Sequence, residues 1–124
     1  MKYKVVERKN PLNPQSEGKY YANAVNTGRF TVRDFAKEIT ERSSLSRGDI
    51  ENVLENFLDV LPTFLKLGMS VQLGDFGTVR LSLSSKGANT PDTFKADMIK
   101  GVKVIFTPGV ELKKALKNIS FENS

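Results

Sequence analysis

The sequence predicts an α+β protein with a helical body, an antiparallel hairpin drawn out into a protruding polar arm, and a β extension ahead of the first helix. Three observations carry this. Ile50, Val53, Leu54, Phe57, Leu58, Leu61, Phe64 and Leu65 recur at three-four spacing, the pattern of an amphipathic helix. Val71 and Leu73, then Val79, Leu81 and Leu83, alternate with polar neighbours around Gly74-Asp75-Phe76-Gly77, the pattern of a hairpin. Between Ser84 and Gly101 the chain is polar, with Lys, Gly, Asn and Asp and with Pro91 near its middle, before Val102, Val104 and Phe106 resume a strand.

In chain order, Tyr3, Val5 and the run Tyr20 to Val25 are β-prone. The turn formers of Asn10-Pro11-Leu12-Asn13-Pro14, with Ser16 and Gly18, separate them, so two short strands joined by a polar loop are expected, packed onto the hairpin sheet. Thr31 with Asp34 three residues later has the form of a capping box, and Val32, Phe35, Ala36 and Ile39 follow at helical spacing to about Arg42. Ser46 with Asp49 repeats the start signal for the long helix. Pro62 removes one of its hydrogen bonds and predicts a bend near Leu61, and Lys66-Leu67-Gly68 closes it with a cation and a glycine. Phe76 between two glycines reads as a core plug at the hairpin turn. Thr107 as cap and Pro108 in the first turn predict a last helix with Leu112, Ala115, Leu116 and Ile119 on its apolar face.

Composition narrows the function. The 124 residues suit one ordinary domain and contain no Cys, His or Trp. That removes disulfides, cysteine-ligated zinc and most acid/base or triad chemistry, so neither a catalytic residue, a metal nor a cofactor is expected. A reducing, intracellular compartment is the simplest reading. The apolar pair Val5-Val6 is too short for a signal peptide, and no segment reaches membrane-spanning length. The net charge of +5 is uneven: residues 1–30 carry six Lys/Arg against two acids, and residues 31–67 carry five against seven. The basic excess avoids the helical centre and points to a polyanionic partner, with an ordinary basic surface as the plain alternative.

The order helix, helix, hairpin, arm, strand, helix resembles the HU/IHF family of bacterial nucleoid proteins. So do Leu73-Gly74-Asp75-Phe76-Gly77-Thr78 at the turn and Thr107-Pro108-Gly109 before Leu112-Lys113-Lys114-Ala115-Leu116-Lys117. Lys2-Tyr3-Lys4-Val5-Val6 and Lys19-Tyr20-Tyr21 ahead of the first helix make it most similar to the HU-like variant with an N-terminal β extension, the HU-HIG type. The resemblance implies residues 1–30 as the extension and 31–124 as an HU-like DNA-binding domain. It further implies an entwined homodimer, cytoplasmic and nucleoid-associated, whose arms enter the minor groove of double-stranded DNA and bend it, with no membrane and no small-molecule substrate.

Such a binder needs cations for phosphates and an apolar wedge for a base step. The residues offered are Arg80, Lys86, Lys95, Lys100 and Lys103, with Asn89 as a minor-groove hydrogen bonder and Pro91 as wedge or plain turn residue. Lys113 and Lys114 read as a phosphate contact or a solvated helix face. The family's Arg-Asn-Pro tip reads Asn89-Thr90-Pro91 here, Ser82, Ser84 and Ser85 stand where the family tends to place cations, and Asp92 and Asp97 oppose phosphate. The alternative is therefore a protein-interaction or structural module on an HU scaffold with weakened DNA arms.

Overall fold

Local capping chemistry sets both helices of the body. In the computed structural model, which describes residues 1–124, the Thr31 hydroxyl accepts from the Asp34 N–H at 3.3 Å. The Asp34 carboxylate accepts from the Thr31 N–H and hydroxyl, each at 2.8 Å. Helix α1, Val32–Thr40, starts there and ends slightly short of Arg42. Ser46 accepts from the Asp49 N–H at 3.1 Å and opens α2, Arg47–Lys66. The helix is continuous across Pro62. It closes in a Schellman motif: the Gly68 N–H donates to the Leu65 carbonyl at 3.0 Å and the Met69 N–H to Phe64 at 3.3 Å, with Gly68 at φ 82°.

The next residues form an antiparallel sheet of order β3-β4-β5, made of Val71–Gln72, Gly77–Ser85 and Ile99–Pro108. A short 3₁₀ turn over Gly74–Phe76 joins the first two strands, fastened by the Leu73 N–H donating to the Gly77 carbonyl at 2.8 Å. Strand β5 begins at Ile99, earlier than the alternation at Val102 predicts. The two long strands pair from Gly77↔Pro108 to Ser85↔Ile99, with a bulge beside Ser84 and Ser85.

The expected start of the last helix is corrected. Thr107 and Pro108 pair with Thr78 and Gly77 in the sheet, so the ladder claims them, and Gly109 is the N-cap of α3, Val110–Ala115. Ile119 therefore lies beyond the helix.

The core of this unit is thin. Ala36, Ile50 and Leu65 are the buried apolar residues. Phe35, Val53, Phe57, Leu58 and Phe64 on the helices stay substantially exposed, as do Leu83, Val102, Val104 and Phe106 on one sheet face. Phe76 does not act as a core plug within the chain. It is 52% exposed and its ring leans on Phe106 with centroids 5.0 Å apart.

The chain divides into two units, Thr31–Leu116 and a second made of Met1–Phe30 with Lys117–Ser124. The second is a sheet of its own, order β2-β1-β6, from Lys19–Ala24, Lys2–Arg8 and Glu122–Asn123. This corrects the expectation that the N-terminal strands join the hairpin sheet: β1 pairs antiparallel with β2 and parallel with the C-terminal β6, through Lys2↔Glu122 and Tyr3↔Asn123. No helix of the structure is long and apolar enough to cross a membrane.

Candidate nucleic-acid interface

The pairing of β4 with β5 sorts the hairpin into two chemically different faces, because side chains alternate along a strand and directly paired residues share a side. One face takes Val79, Leu81 and Leu83 with their partners Phe106, Val104 and Val102. The other takes Thr78, Arg80, Ser82 and Ser84 with Thr107, Ile105, Lys103 and Gly101. Arg80 and Lys103, apart in sequence, thus lie diagonally adjacent on the polar face. Ser82 and Ser84 stand on that same face and offer hydroxyls without charge.

Lys100 has a place that its sequence neighbourhood does not announce. Ser84 pairs with Gly101 and Ser85 with Ile99, so Lys100 is the extra residue of the bulge. A bulge twists its strand and re-aims the unpaired side chain. Beyond it the two strands stay tied, the Lys86 N–H donating to the Met98 carbonyl at 2.8 Å.

The arm's far end is a pair of 3₁₀ turns, Pro91–Thr93 and Ala96–Met98. The Thr93 hydroxyl accepts from the Thr90 N–H at 3.3 Å and donates to the Thr90 carbonyl at 2.9 Å. Pro91 therefore sits at the head of a hydrogen-bonded turn, exposed, with Asn89 exposed just before it and Lys95 between the two turns. Phe94, 41% exposed, is a second apolar residue in this segment that sequence reasoning passed over. Its signal was available, as the arm's one aromatic residue.

Lys86, Lys95, Lys100 and Lys103 are all exposed and none is held in an ion pair. Lys113 and Lys114 lie apart from the arm, on α3, where Lys114 meets Glu111 at 3.5 Å in a pair about as exposed as free side chains, 63% and 60%. So open a pair is worth little and leaves the ammonium available. No cluster of His, Cys, Asp and Glu is arranged to hold a metal ion.

Comparison with known proteins agrees with this geometry. Residues 1–123 match the HU-HIG family, described as an HU domain fused to wHTH, Ig, or glycine-rich motif. The DNA-binding protein HU of Buchnera aphidicola subsp. Acyrthosiphon pisum is 39% identical over 83 residues, covering 65% of this chain and 90% of that protein. Integration host factor subunit alpha of Haemophilus influenzae is 32% identical over 85 residues, 67% of this chain and 88% of that one. A crystal structure of a candidate bacterial DNA-binding protein from Bacteroides vulgatus superposes on 98% of this chain with a TM-score of 0.62 at 14% identity. The chain spans about half of it, 47% of its length.

Proposed function

This chain belongs to the HU/IHF family in its HU-HIG form, and from that premise we propose that it binds double-stranded DNA with little sequence preference and bends it, as a homodimer in the nucleoid. The observation that carries the reading is the β4–β5 arm. It is a narrow two-stranded ribbon with unpaired cations along it and an exposed proline turn at its end, the parts a minor-groove binder uses. The relatives named for DNA binding support the same conclusion.

Phosphate contacts from Arg80, Lys86, Lys95, Lys100 and Lys103 supply affinity and position, with Lys113 and Lys114 as further cations. Asn89 bonds base edges in the groove, and Pro91 presses on a base step. The chain needs a twofold partner because the helix stripe and the apolar sheet face are left uncovered.

A salt series on random duplex DNA tests the proposal. If a dimer neutralises about six phosphates, log K falls against log salt with a slope of about −5, nearly equal for unrelated sequences. Charge reversal at Lys95 and Lys100 weakens all sequences alike, and Pro91→Ala reduces bending more than binding. Absence of binding at low salt, or a reversed pair that binds like the parent, overturns it.

A further inference from the structure

The net charge of this chain is not where the arm is. Thr31–Leu116 carries twelve Lys/Arg and eleven Asp/Glu, whereas Met1–Phe30 with Lys117–Ser124 carries seven against three. The smaller unit therefore holds nearly all of the excess, and its strand pairing shows where that charge is presented. Lys2, Lys4, Val6 and Arg8 share one side of β1, since side chains alternate. The register Lys4↔Asn23, Val6↔Tyr21 and Arg8↔Lys19 adds three residues of β2 to that side.

Two contacts anchor this assignment. Arg8 Nη2 donates to Asn23 Oδ1 at 2.9 Å, and the Arg8 guanidinium lies 5.6 Å from the centre of the Tyr21 ring. The opposite side takes Tyr3, Val5, Glu7, Tyr20, Ala22 and Ala24. The sheet is thus two-faced, with Lys2, Lys4, Arg8 and Lys19 gathered on one surface. The acid that the pairing brings to this side is Glu122, beside Lys2, and it forms no ion pair with it. Lys2, Lys4 and Lys19 are exposed and free of ion pairs.

Four cations without counter-charges repel one another and are costly to gather unless a polyanion is there to meet them. Residues two apart on a strand stand about 6.7 Å apart, so Lys2 and Lys4 form a short ladder suited to successive phosphates of one nucleic-acid strand. Tyr21, the aromatic residue on this face, has the Arg8 guanidinium against its ring, so the face lacks the open stacking platform that single-strand binders use.

We infer that the Lys2–Lys4–Arg8–Lys19 face of the N-terminal sheet is a second DNA site, contacting the phosphodiester backbone of duplex DNA independently of sequence. It rests on the reading that the chain binds duplex DNA, and it accounts for binding by an arm whose own unit is nearly neutral.

The test compares the full chain with Lys2→Glu/Lys4→Glu/Lys19→Glu, with the triple Lys→Arg variant, and with Lys95→Glu/Lys100→Glu. Each is titrated by fluorescence anisotropy on a labelled random duplex across a salt series. The triple reversal is expected to lose about tenfold or more in affinity and to flatten the log–log salt slope by about 3 for every chain bound, one counterion per lost contact, while the arginine variant binds like the parent. Amide resonances of residues 2–8 and 19–24 of the parent should shift when duplex DNA is added, a readout that needs no variant to fold.

A triple reversal with the parent's affinity and slope overturns the inference, as does a DNA titration that moves arm resonances alone. If the arm variant then still loses affinity, the arm reading stands without this second site. Loss confined to the N-terminal variant supports this site and removes the arm contact. Failure of the parent to bind at low salt overturns both, and preferential competition by single-stranded DNA or RNA overturns the duplex assignment.

Discussion

Replacing Gly77 by Ala should cost this fold more than any other single methyl addition at a turn, and the structure supplies the size. Gly77 sits at φ 149° and ψ −168°, a region open essentially to glycine alone, where another residue costs about 1–3 kcal/mol. Space is lacking as well. A methyl there meets the Thr107 carbonyl oxygen and the Phe106 ring, whose Cε2 would be 2.6 Å away. The oxygen belongs to the paired strand β5, and the ring leans on Phe76, so neither yields without moving the root of the arm. Backbone strain and overpacking together come to about 3 kcal/mol or more. For a unit of this size that lowers the melting temperature by on the order of 10–20 °C. Thermal and urea unfolding at matched protein concentration read it, with Gly87→Ala as control: nothing lies within 4 Å of a methyl at Gly87, so its effect should stay within about 0.5 kcal/mol. A Gly77→Ala protein within about 1 kcal/mol of the parent would refute the reasoning.

The capping box and the uncovered apolar faces give two more expectations. Hydrogen bonds from the Thr31 backbone and side chain hold the Asp34 carboxyl below its ordinary value of 3.8. A carboxyl lowered by folding stabilises fully above that ordinary value, and its contribution is lost as the pH falls through the lowered one. Thr31→Ala should cost about 1 kcal/mol near neutrality, and the stability gap between the parent and Asp34→Asn should close toward acid. A gap that widens toward acid contradicts the sign. Sedimentation of the parent should give twice the chain mass at micromolar concentration, because Val104 is 67% exposed and Phe57 42% exposed in the single chain; a stable folded monomer would end the dimer reading.

Much of the fold was legible because its causes are local. The capping boxes at Thr31 and Ser46 and the glycine closing α2 each act within one helical turn, so a short window of sequence contains the whole interaction. Errors arose where a distant partner decides. Thr107-Pro108 has the local form of a helix start, yet pairing with Gly77 and Thr78 offers those residues a ladder, and the helix begins only at Gly109. The first residues of β5 escaped because the bulge at Lys100 interrupts the alternation that announces a strand. The partner of β1 escaped too, since the two residues of β6 carry no period at all.

The interface follows the same division between what a window shows and what pairing decides. Counting charges identifies the arm's cations, and alternation alone groups Lys2, Lys4 and Arg8. Only the register brings Lys19, Tyr21 and Asn23 onto their side and sends Glu7 to the other. A one-residue slip between β1 and β2 would carry every side chain of β2 to the opposite face, removing Lys19 from the cationic surface and putting Tyr20 in its stead. The Arg8–Asn23 hydrogen bond and the Arg8–Tyr21 contact are specific to the observed register. They therefore tie the pairing of the strands to the presentation of the charge, which is the step from sequence to DNA contact that no local reading supplies.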